Sequence, residues 1–507
     1  MKKVLIAGRG EIAVRIARAC RVLGIGSVAI YSDADAGARH VRKADEAVRV
    51  GPAESALSYL DIAAVLAAAR LTGADAVHPG YGFLSENPDF ASAVADAGLT
   101  WIGPPAAVIA PIRSKTAAKD VARAAGVPTA PSAVLDDLSE AGLQAAATHV
   151  GFPLLVKPED GGGGKGMQRV DRMEDLVPAV QAARRVAASA FASDRLLLER
   201  CIEGARHVEV QVLGDQHGDA VHVFERDCSV QRRHQKVIEE SPCPVLTLAE
   251  RAAICESGRA FARHVGYVGA GTVEFLFDPV SRAHYFLEMN TRLQVEHPVT
   301  EAVVGLDLVV TQLRIAQGAR LAELFGPEGL QQRGHAIEVR VYAEDPADGY
   351  VPQAGTLQRV VWPDAPMVRV DAGFETGDVV PVHYDPMLAK IIAWGRDREE
   401  ATLRMLAALR ETVVHGVATN IPMLIDVLQQ PSFARSEVNT GWLDAFYGTE
   451  GPGYGVAPSD AALLALALAG PGQAAAGAAS ARHAAGPAAA RDPWDMLVGL
   501  RVGGGRS

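Results

Sequence analysis

The segment from Glu288 to His297 constrains the fold of this chain more than any other, because it joins an apolar run to a cluster of polar side chains. The apolar residues before Glu288 predict a buried strand. Glu288 and Asn290 lie two positions apart, so both point to one face of that strand. Oxygen ligands on one face suit Mg²⁺ or Mn²⁺ shared with substrate phosphates. The segment therefore predicts a strand that ends in a polar site.

A second apolar run, from Gly271 to Phe277, carries one acidic residue, Glu274. An ionised carboxylate among apolar neighbours is costly unless it meets a cation. A surface salt bridge explains any one of these acidic residues taken singly. Several charged groups in apolar surroundings are more typical of a functional site, so we expect Glu274 and Glu288 to belong to one.

Length and composition limit the class of protein. A chain of 507 residues is too long for one core and should form roughly two to four domains. The net charge of −11 argues against a nucleic-acid binder. No apolar stretch reaches membrane-spanning length, and the first residues lack a cleavable signal pattern. The five cysteines include no C-x-x-C pair, so we expect reduced thiols and a cytoplasmic location.

The N-terminal part of the chain alternates between apolar strands and helical segments. Strands are predicted at residues 4–7, 28–31 and 76–78, with helices between them. This β-α-β order implies a parallel sheet with ligand loops at the carboxyl ends of its strands. Residues 78–87 (HPGYGFLSEN) form one such loop and contain Tyr81, although a rigid structural turn explains the loop equally well.

The same region satisfies the fingerprint of dinucleotide-binding folds. Gly8, Gly10 and Ala13 follow the first predicted strand, and Asp33 and Asp35 end the second. Taken alone, this pattern predicts an NAD-dependent oxidoreductase. The acidic residues of the later strands have no role in hydride transfer, which argues against that function.

A glycine-rich segment, residues 157–167 (KPEDGGGGKGM), predicts a phosphate-binding loop. An apolar strand delivers Lys157, and residues 161–164 are glycines whose backbone N–H groups can turn toward an anion. It is not a Walker A loop, because glycine follows Lys165 where that motif has Ser or Thr. A bare flexible loop is the alternative. A binding loop here would also serve as a mobile lid that excludes water.

Two further segments carry candidate ligand contacts. Residues 196–202 end a predicted strand where Glu199 and the following backbone would suit an adenine ring, although a plain strand end is the commoner explanation. Residues 225–240 place cations, among them Lys236, between acidic ends. Such a cluster can bind a small anion, whereas a solvated surface is the alternative.

Taken together, these motifs resemble the biotin carboxylase family, within the ATP-grasp enzymes. The resemblance extends from Met1 to about residue 447. The most specific segments are GRGEIA, HPGYGFLSEN, KPEDGGGGKGM, ERDCSVQRRHQKVIEE, EFLFD, FLEMNTRLQVEHPVTE, HAIEVRVYAED, YDPMLAK and GVATNIPML. One of them could arise by chance, but all of them in this order could not.

The resemblance implies an α/β and α+β multidomain fold. A Rossmann-like N-terminal domain would cover residues 1–113, and an ATP-grasp core would cover 114–330 with a mobile lid at about 130–204. A biotin carboxylase C-terminal domain would follow at 335–447. Residues 448–507 have the Ala- and Gly-rich composition of a linker. Their end resembles the start of the next domain of long acyl-CoA carboxylase α subunits, so we expect a truncated or split subunit.

The implied activity is the ATP- and bicarbonate-dependent carboxylation of biotin on a carrier protein, the first half-reaction of an acyl-CoA carboxylase. Bicarbonate would first be phosphorylated to carboxyphosphate with the help of Mg²⁺ or Mn²⁺, two ions being expected. Bicarbonate is a weak nucleophile, so it needs a base and close placement beside the phosphoryl group. Carboxyphosphate is labile in water, so a closing lid would protect it.

The resemblance also assigns roles to residues of this sequence. Glu274 and Glu288 would be the metal ligands, with Asn290 supporting them. The residues that would bind ATP are Lys115, Lys157, Gly162, Gly163, Gly164, Lys165, Gly166, Met167, Glu199, Ile202, His207, Gln231, His234, Glu274 and Glu288. The residues that would bind bicarbonate or biotin are Arg292, Gln294, Val295, Lys236, Arg340 and Tyr81.

Four of the implied residues would take part in the chemistry itself. Glu296 would be the base that removes the proton of bicarbonate, with Arg292 and Lys236 beside the anion. Arg340 would stabilise the enolate of biotin, because an arginine stays charged at working pH.

Partners and alternatives follow from the same comparison. No Ala-Met-Lys-Met sequence occurs, so biotin would arrive on a carrier protein or a missing carrier domain. We also expect a carboxyltransferase subunit and a homodimer, with no nucleic-acid or membrane partner. Two other functions stay open. One is another ATP-grasp ligase that uses bicarbonate, such as a carbamoyl-phosphate or purine-biosynthesis enzyme. The other is a non-catalytic nucleotide-binding scaffold.

Overall fold

The computed structural model describes residues 1–159, 166–191, 194–233, 235–326 and 329–448. The implied site residues outside these ranges are Gly162, Gly163, Gly164, Lys165 and His234. The expected tail lies outside them from residue 449 onward. None of the helices in the described ranges combines the length and the apolarity that a membrane span requires.

The N-terminal residues form a five-stranded sheet flanked by helices. Its elements are β1 (Lys3–Ile6), α1 (Gly10–Val22), β2 (Gly26–Ser32), α2 (Arg39–Lys43), β3 (Glu46–Gly51), α3 (Ile62–Thr72), β4 (Ala76–His78), α4 (Pro88–Asp96), β5 (Thr100–Trp101) and α5 (Ala106–Ile112). The strand order is β3-β2-β1-β4-β5, and all pairings are parallel. The loops after β1 and β4 therefore meet at the carboxyl edge of the sheet, where such folds bind ligands.

Asp35, one of the two acidic residues of the dinucleotide fingerprint, is already engaged by protein groups. The Arg9 guanidinium donates to both oxygens of Asp35, at 2.6 and 2.8 Å, and the Tyr59 hydroxyl donates at 2.5 Å. The Asp35 side chain is 2% exposed. This carboxylate is therefore not free to bind a ribose.

The loop after β4 gives several residues of its motif a structural role. Gly80 and Gly82 have φ angles of 62° and 73°, which favour glycine. The Gly80 N–H donates to Nδ1 of His78. Asn87 caps α4 by accepting from the N–H groups of Asp89 and Phe90. The rigid turn that the sequence left as an alternative is present, and it fixes the neighbouring Tyr81.

A smaller antiparallel sheet follows. The elements are α6 (Lys115–Ala124), β6 (Ser132–Val134), α7 (Glu140–Val150), β7 (Leu154–Pro158), β8 (Gln168–Val170), α8 (Leu176–Phe191) and β9 (Leu196–Arg200), and the strand order is β6-β9-β7-β8. Lys157 lies near the end of β7 and Glu199 near the end of β9. The sheet thus brings two predicted nucleotide contacts together.

A large antiparallel sheet runs through the rest of the molecule. Its first part comprises β10 (Arg206–Gly214), β11 (Ala220–Arg232), β12 (Gln235–Ser241), α9 (Leu248–His264), β13 (Gly269–Phe277), β14 (His284–Asn290), α10 (His297–Val304), α11 (Leu308–Ala316) and α12 (Leu321–Phe325). The last part comprises β15 (His335–Tyr342), β16 (Glu344–Asp345), β17 (Val351–Pro352), β18 (Gly355–Thr356), β19 (Arg359–Val361), β20 (Val368–Ala372), β21 (Val379–Val380), β22 (Met387–Gly395), α13 (Arg398–Glu411), β23 (Val413–His415), α14 (Ile421–Gln429), α15 (Pro431–Ala434) and α16 (Trp442–Tyr447). The order β14-β13-β10-β11-β12-β15-β22-β20 makes one sheet of strands from the expected ATP-grasp and C-terminal domains.

Side chains along β15 point alternately into an apolar core and toward the predicted site. Ile337, Val339 and Val341 belong to an apolar core that includes residues of α13 and α14. Because successive side chains of a strand point to opposite faces, Glu338 and Arg340 lie on the other face. The core therefore holds β15 in place while its second face carries charge.

Candidate active site

Two carboxylates face each other on the neighbouring strands β13 and β14. Glu274 and Glu288 are direct partners in the register of this pair. Glu274 is buried, whereas Glu288 is accessible to solvent in the adjoining cavity. Although its side chain is open to the cavity, desolvation by the surrounding protein and the negative charge of Glu274 raise the pKa of Glu288. Two opposed carboxylates that repel each other are a suitable donor set for a divalent cation.

The Glu274 carboxylate is held by protein donors. Lys236, Asn290 and Gln294 all donate to its Oε1, at 2.7, 2.9 and 3.1 Å. His207 Nε2 lies 3.0 Å from Oε2. Glu288, by contrast, makes no hydrogen bond or ion pair within the described ranges. It is therefore the carboxylate that is free to accept a ligand from the cavity.

Lys236 connects the acidic residues of the site. Its Nζ lies 2.5 Å from Glu209, 2.7 Å from Glu274 and 2.7 Å from Glu296. Burial alone would lower the pKa of Lys236, but these three carboxylates outweigh it and raise the pKa well above its usual value. The ammonium group is therefore a permanent positive charge.

Glu296 lies between two cations at the start of α10. It is 0% exposed, and its two oxygens accept from Nζ of Lys236 at 2.7 Å and from Nη2 of Arg340 at 2.9 Å. Burial would raise the pKa of Glu296, but Lys236 and Arg340 hold it well below its usual range. Glu296 is therefore ionised at neutral pH, which is the state that a general base requires.

Arg292 is anchored by residues from two parts of the chain. Its Nε donates to Glu86 at 3.0 Å, and Nη2 donates to Asn290 at 3.0 Å. Nη1 lies 3.3 Å from the Gln294 amide oxygen. Glu86 also accepts from the backbone N–H of Thr291 at 3.1 Å. The loop after β4 thus positions the residues that follow β14.

Two lysines, Lys157 and Lys119, contact the carboxylate of Glu199 in the region of the predicted nucleotide site. Nζ of Lys157 lies 2.5 Å from Oε1 of Glu199, and Lys119 contacts the other oxygen. Lys119 lies one turn after Lys115 on α6. Two cations thus engage the Glu199 carboxylate, and its expected role beside adenine stays a prediction.

One cavity of about 1250 Å³ brings the predicted residues together. The predicted residues that line it are Tyr81, Lys115, Lys157, Met167, Glu199, Ile202, His207, Gln231, Lys236, Glu274, Glu288, Asn290, Arg292, Gln294, Val295 and Arg340. Glu296 is buried behind Lys236 and Arg340. Gly166 is described but does not line the cavity. The Tyr81 hydroxyl contacts Glu11 at the same cavity.

Sequence reasoning missed several residues of this site, notably Glu86, Lys119 and Glu209. Glu209 pairs with Glu274 in the register of β10 and β13 and accepts from Arg226 at 2.6 Å. The signal for Glu209 was present, because the polar residues of β10 at 207, 209 and 211 alternate with valines and so share a face. Glu86 offered no such signal, because its partner lies far away in the chain.

Family models match most of the described chain. The model described as "Biotin carboxylase, N-terminal domain" matches residues 1–109, and "Biotin carboxylase C-terminal domain" matches 338–445. Between them, "Carbamoyl-phosphate synthase L chain, ATP binding domain" matches 114–324.

Curated relatives give the same family. "Biotin carboxylase 1" of Bacillus subtilis is 44% identical over 448 residues, which cover 88% of this chain and 99% of that protein. "Methylcrotonoyl-CoA carboxylase subunit alpha, mitochondrial" of rice (Oryza sativa subsp. japonica) is 48% identical over 448 residues. That match covers 88% of this chain but 60% of the rice protein, so the chain spans about three fifths of its length.

A solved structure agrees in fold. The biotin carboxylase domain dimer of Hydrogenobacter thermophilus 2-oxoglutarate carboxylase, in complex with MgADP, ADP and bicarbonate, has a TM-score of 0.82 and 42% sequence identity. The superposition covers 88% of this chain and 97% of that one.

Proposed function

This chain belongs to the biotin carboxylase family, and we propose that it carries out the ATP- and bicarbonate-dependent carboxylation of biotin, the first half-reaction of an acyl-CoA carboxylase. The observation that carries the proposal is Glu296, a buried and ionised carboxylate held between Lys236 and Arg340. A general base next to a site for an oxyanion is what deprotonation of bicarbonate and of biotin requires.

ATP and a divalent metal would occupy the lysine- and glutamate-lined part of the cavity. Lys115 and Lys157 would neutralise phosphate oxygens, and Glu274 and Glu288 would hold the metal with support from Asn290. Two ions, Mg²⁺ or Mn²⁺, would fit the family's chemistry. The metal would supply positive charge where the transferred phosphoryl group becomes more negative.

Bicarbonate would lie between Arg292, Gln294 and the Val295 backbone, with Lys236 above it. In this position its hydroxyl would face Glu296, and Glu296 would take the proton onto a carboxylate oxygen. Arrival of the anion would draw Lys236 away from Glu296. Since Lys236 is the main cation that holds the pKa of Glu296 down, its loss would make Glu296 a stronger base at the moment it is needed.

Biotin would enter beside Arg340 and Tyr81. Arg340 would donate to the ureido oxygen while the N1′ proton passes to the phosphate released as carboxyphosphate breaks down to CO₂. The fixed charge of Arg340 would stabilise the resulting enolate, whose N1′ then bonds to that CO₂. The Tyr81 ring, fixed by its contact with Glu11, would form one wall of the biotin site.

Partners are proposed from the same family relation. Biotin would be presented by a carrier protein or carrier domain, and a carboxyltransferase subunit would use the product. The dimer of the Hydrogenobacter domain makes a homodimer our proposal for this chain too. The expected cytoplasmic location stays a prediction, since the rice relative is named mitochondrial.

The test is ADP release by the purified chain with ATP and Mg²⁺. We expect release to depend on bicarbonate and to rise when free biotin is added, with label from bicarbonate appearing in biotin. Release that depends on an ammonia donor instead of biotin would favour a carbamoyl-phosphate-type ligase. Nucleotide binding without any turnover would favour a scaffold.

A further inference from the structure

Two buried acidic residues behind Arg340, Glu239 on β12 and Glu338 on β15, have no role in the function proposed above. They are direct partners in the register of the two strands, and both are 0% exposed. Such cross-strand partners have Cβ atoms about 5 Å apart. Two carboxylate charges at this spacing without water would repel each other strongly.

The hydrogen bonds of the pair are incomplete. Oε1 of Glu239 accepts from Nε of Arg340 at 2.6 Å. Oε2 of Glu239 and both oxygens of Glu338 have no hydrogen-bond partner among the residues that the structure describes. One proton held between the two carboxyl groups would satisfy an oxygen on each and remove one of the two charges.

We propose that Glu239 and Glu338 form one positioning unit for Arg340, in which a single shared proton leaves one negative charge behind the guanidinium. The inference rests on the proposed function, because it explains how Arg340 is held for biotin. The single charge fixes Arg340 through Nε, while Nη2 reaches Glu296 at 2.9 Å. Loss of the shared proton would add a second charge and draw the guanidinium back from biotin.

The surrounding groups are consistent with one negative charge. The titratable or charged groups around the pair are Lys236 on β12, Lys390 on β22, and Glu296 and His297 at the start of α10. Asp371 on β20 is the register partner of Lys390. Lys390 opposes Arg340 in the register and donates to the Val295 carbonyl at 2.8 Å. Lys390 also lies 3.2 Å from Glu11, so its charge is shared with another carboxylate.

The directions of the pKa shifts also support a shared proton. Burial raises the pKa of Glu338 well above its usual value, although Lys390 opposes the shift. Burial raises the pKa of Glu239 to about 7, although Arg340 opposes it. The pair is therefore expected to keep its proton at neutral pH and to lose it in alkaline solution.

The test compares Glu239→Gln and Glu338→Gln with the wild-type full chain. Biotin carboxylation and biotin-independent, bicarbonate-dependent ATP hydrolysis are each measured from pH 6 to 9.5. Glu240→Gln is the matched control, because Glu240 is the next residue on β12, is 3% exposed and is bonded to His335 and Arg398. It reports any general destabilisation of the strand.

Glu239→Gln should lower kcat for biotin carboxylation by about 10²-fold, the cost of a misplaced catalytic group. The loss should exceed the loss of hydrolysis, and the KM for ATP should change little. Glu338→Gln cannot gain the second charge, so the alkaline fall in the carboxylation-to-hydrolysis ratio should disappear. An unchanged alkaline limb in Glu338→Gln, or equal losses of both activities in Glu239→Gln, overturns the inference.

Thermal unfolding provides an independent readout. When folding raises the pKa of a carboxyl group, the stability that this group contributes to the protein is lost as pH rises from the pKa of the unfolded state toward that of the folded state. Glu338→Gln should therefore match or exceed the wild-type Tm at pH 8.5. If Glu338 were instead the ionised partner of Lys390, the variant would have a clearly lower Tm. A wild type without biotin-dependent turnover would refute the proposed function, whereas an active wild type with these variant results reversed refutes only this inference.

Discussion

The Glu86 carboxylate lies 3.0 Å from Nε of Arg292, although the two residues are 206 positions apart in the chain. Glu86 belongs to the loop after β4 of the N-terminal sheet, and Arg292 follows β14 of the large sheet. The contact fixes the guanidinium on one side, while Asn290 accepts from it on another. Protein groups alone thus fix the orientation of Arg292.

Glu86→Gln is expected to weaken bicarbonate binding. The amide keeps the size of the side chain but removes the charge that orients Arg292. A charge-assisted hydrogen bond contributes about 1.5–3 kcal/mol, so the KM for bicarbonate should rise by about tenfold or more, with a smaller change in the KM for ATP. Glu411→Gln, at the exposed end of α13, is the control. Equal KM values for the two variants would contradict this role.

Glu288→Gln is expected to change the metal dependence of ADP release. Glu288 is the carboxylate without a protein partner in the described part of the chain, and it faces Glu274. Loss of an outer-shell partner typically costs 10–100-fold in metal affinity, so loss of a direct ligand should raise the half-saturating Mg²⁺ concentration by at least about tenfold. The measurement is a Mg²⁺ titration at fixed ATP. If the Mg²⁺ titration of the variant matched the wild-type titration at low Mg²⁺, Glu288 would not be a metal ligand.

Arg340→Ala is expected to lower turnover of biotin by about 10²-fold or more, the usual loss when a donor to a developing oxyanion is removed. Steady-state carboxylation of free biotin is the measurement. Arg340→Lys keeps the charge but loses the fork that reaches Glu239 and Glu296 together, so it should restore only part of the rate. Near-normal turnover in the alanine variant would defeat the assignment.

The N-terminal sheet is expected to lose stability in mild acid through His40. Burial lowers the pKa of this histidine from 6.5 to about 4. The unfolded chain therefore binds the proton more readily, and the stability conferred by the neutral ring is lost as pH falls from 6.5 toward 4. The Tm of His40→Gln should depend less on pH over that range than the wild-type Tm. His149→Gln, at an exposed position of α7, should keep the wild-type slope.

Contiguous motifs predicted the centre of the site well. Glu288 and Asn290 were expected on one face of an apolar strand and Glu274 on a second apolar strand, and the register of β13 and β14 places the two glutamates opposite each other. The parallel N-terminal sheet was also predicted, because a β-α-β pattern permits few other arrangements. These features depend on spacing within short segments, which a sequence displays directly.

Pairings between distant segments could not be predicted in this way. Which carboxylate meets Arg292, or which strand lies beside β15, depends on the register of strands far apart in sequence. The same limit applies to Asp35, which satisfied a ligand-binding fingerprint but is bonded to Arg9 and Tyr59. Glu199 was expected near adenine, and only the folded chain shows two lysines on its carboxylate.

The continuity of the large sheet has a mechanical consequence. Since β12 is hydrogen-bonded directly to β15, the strand that carries Lys236 and the strand that carries Arg340 cannot separate without breaking the ladder. The groups proposed to bind bicarbonate and biotin therefore lie on one continuous hydrogen-bonded sheet. Any movement that admits nucleotide must therefore leave this pair of strands intact, so the backbone ladder sets the spacing between the two proposed groups.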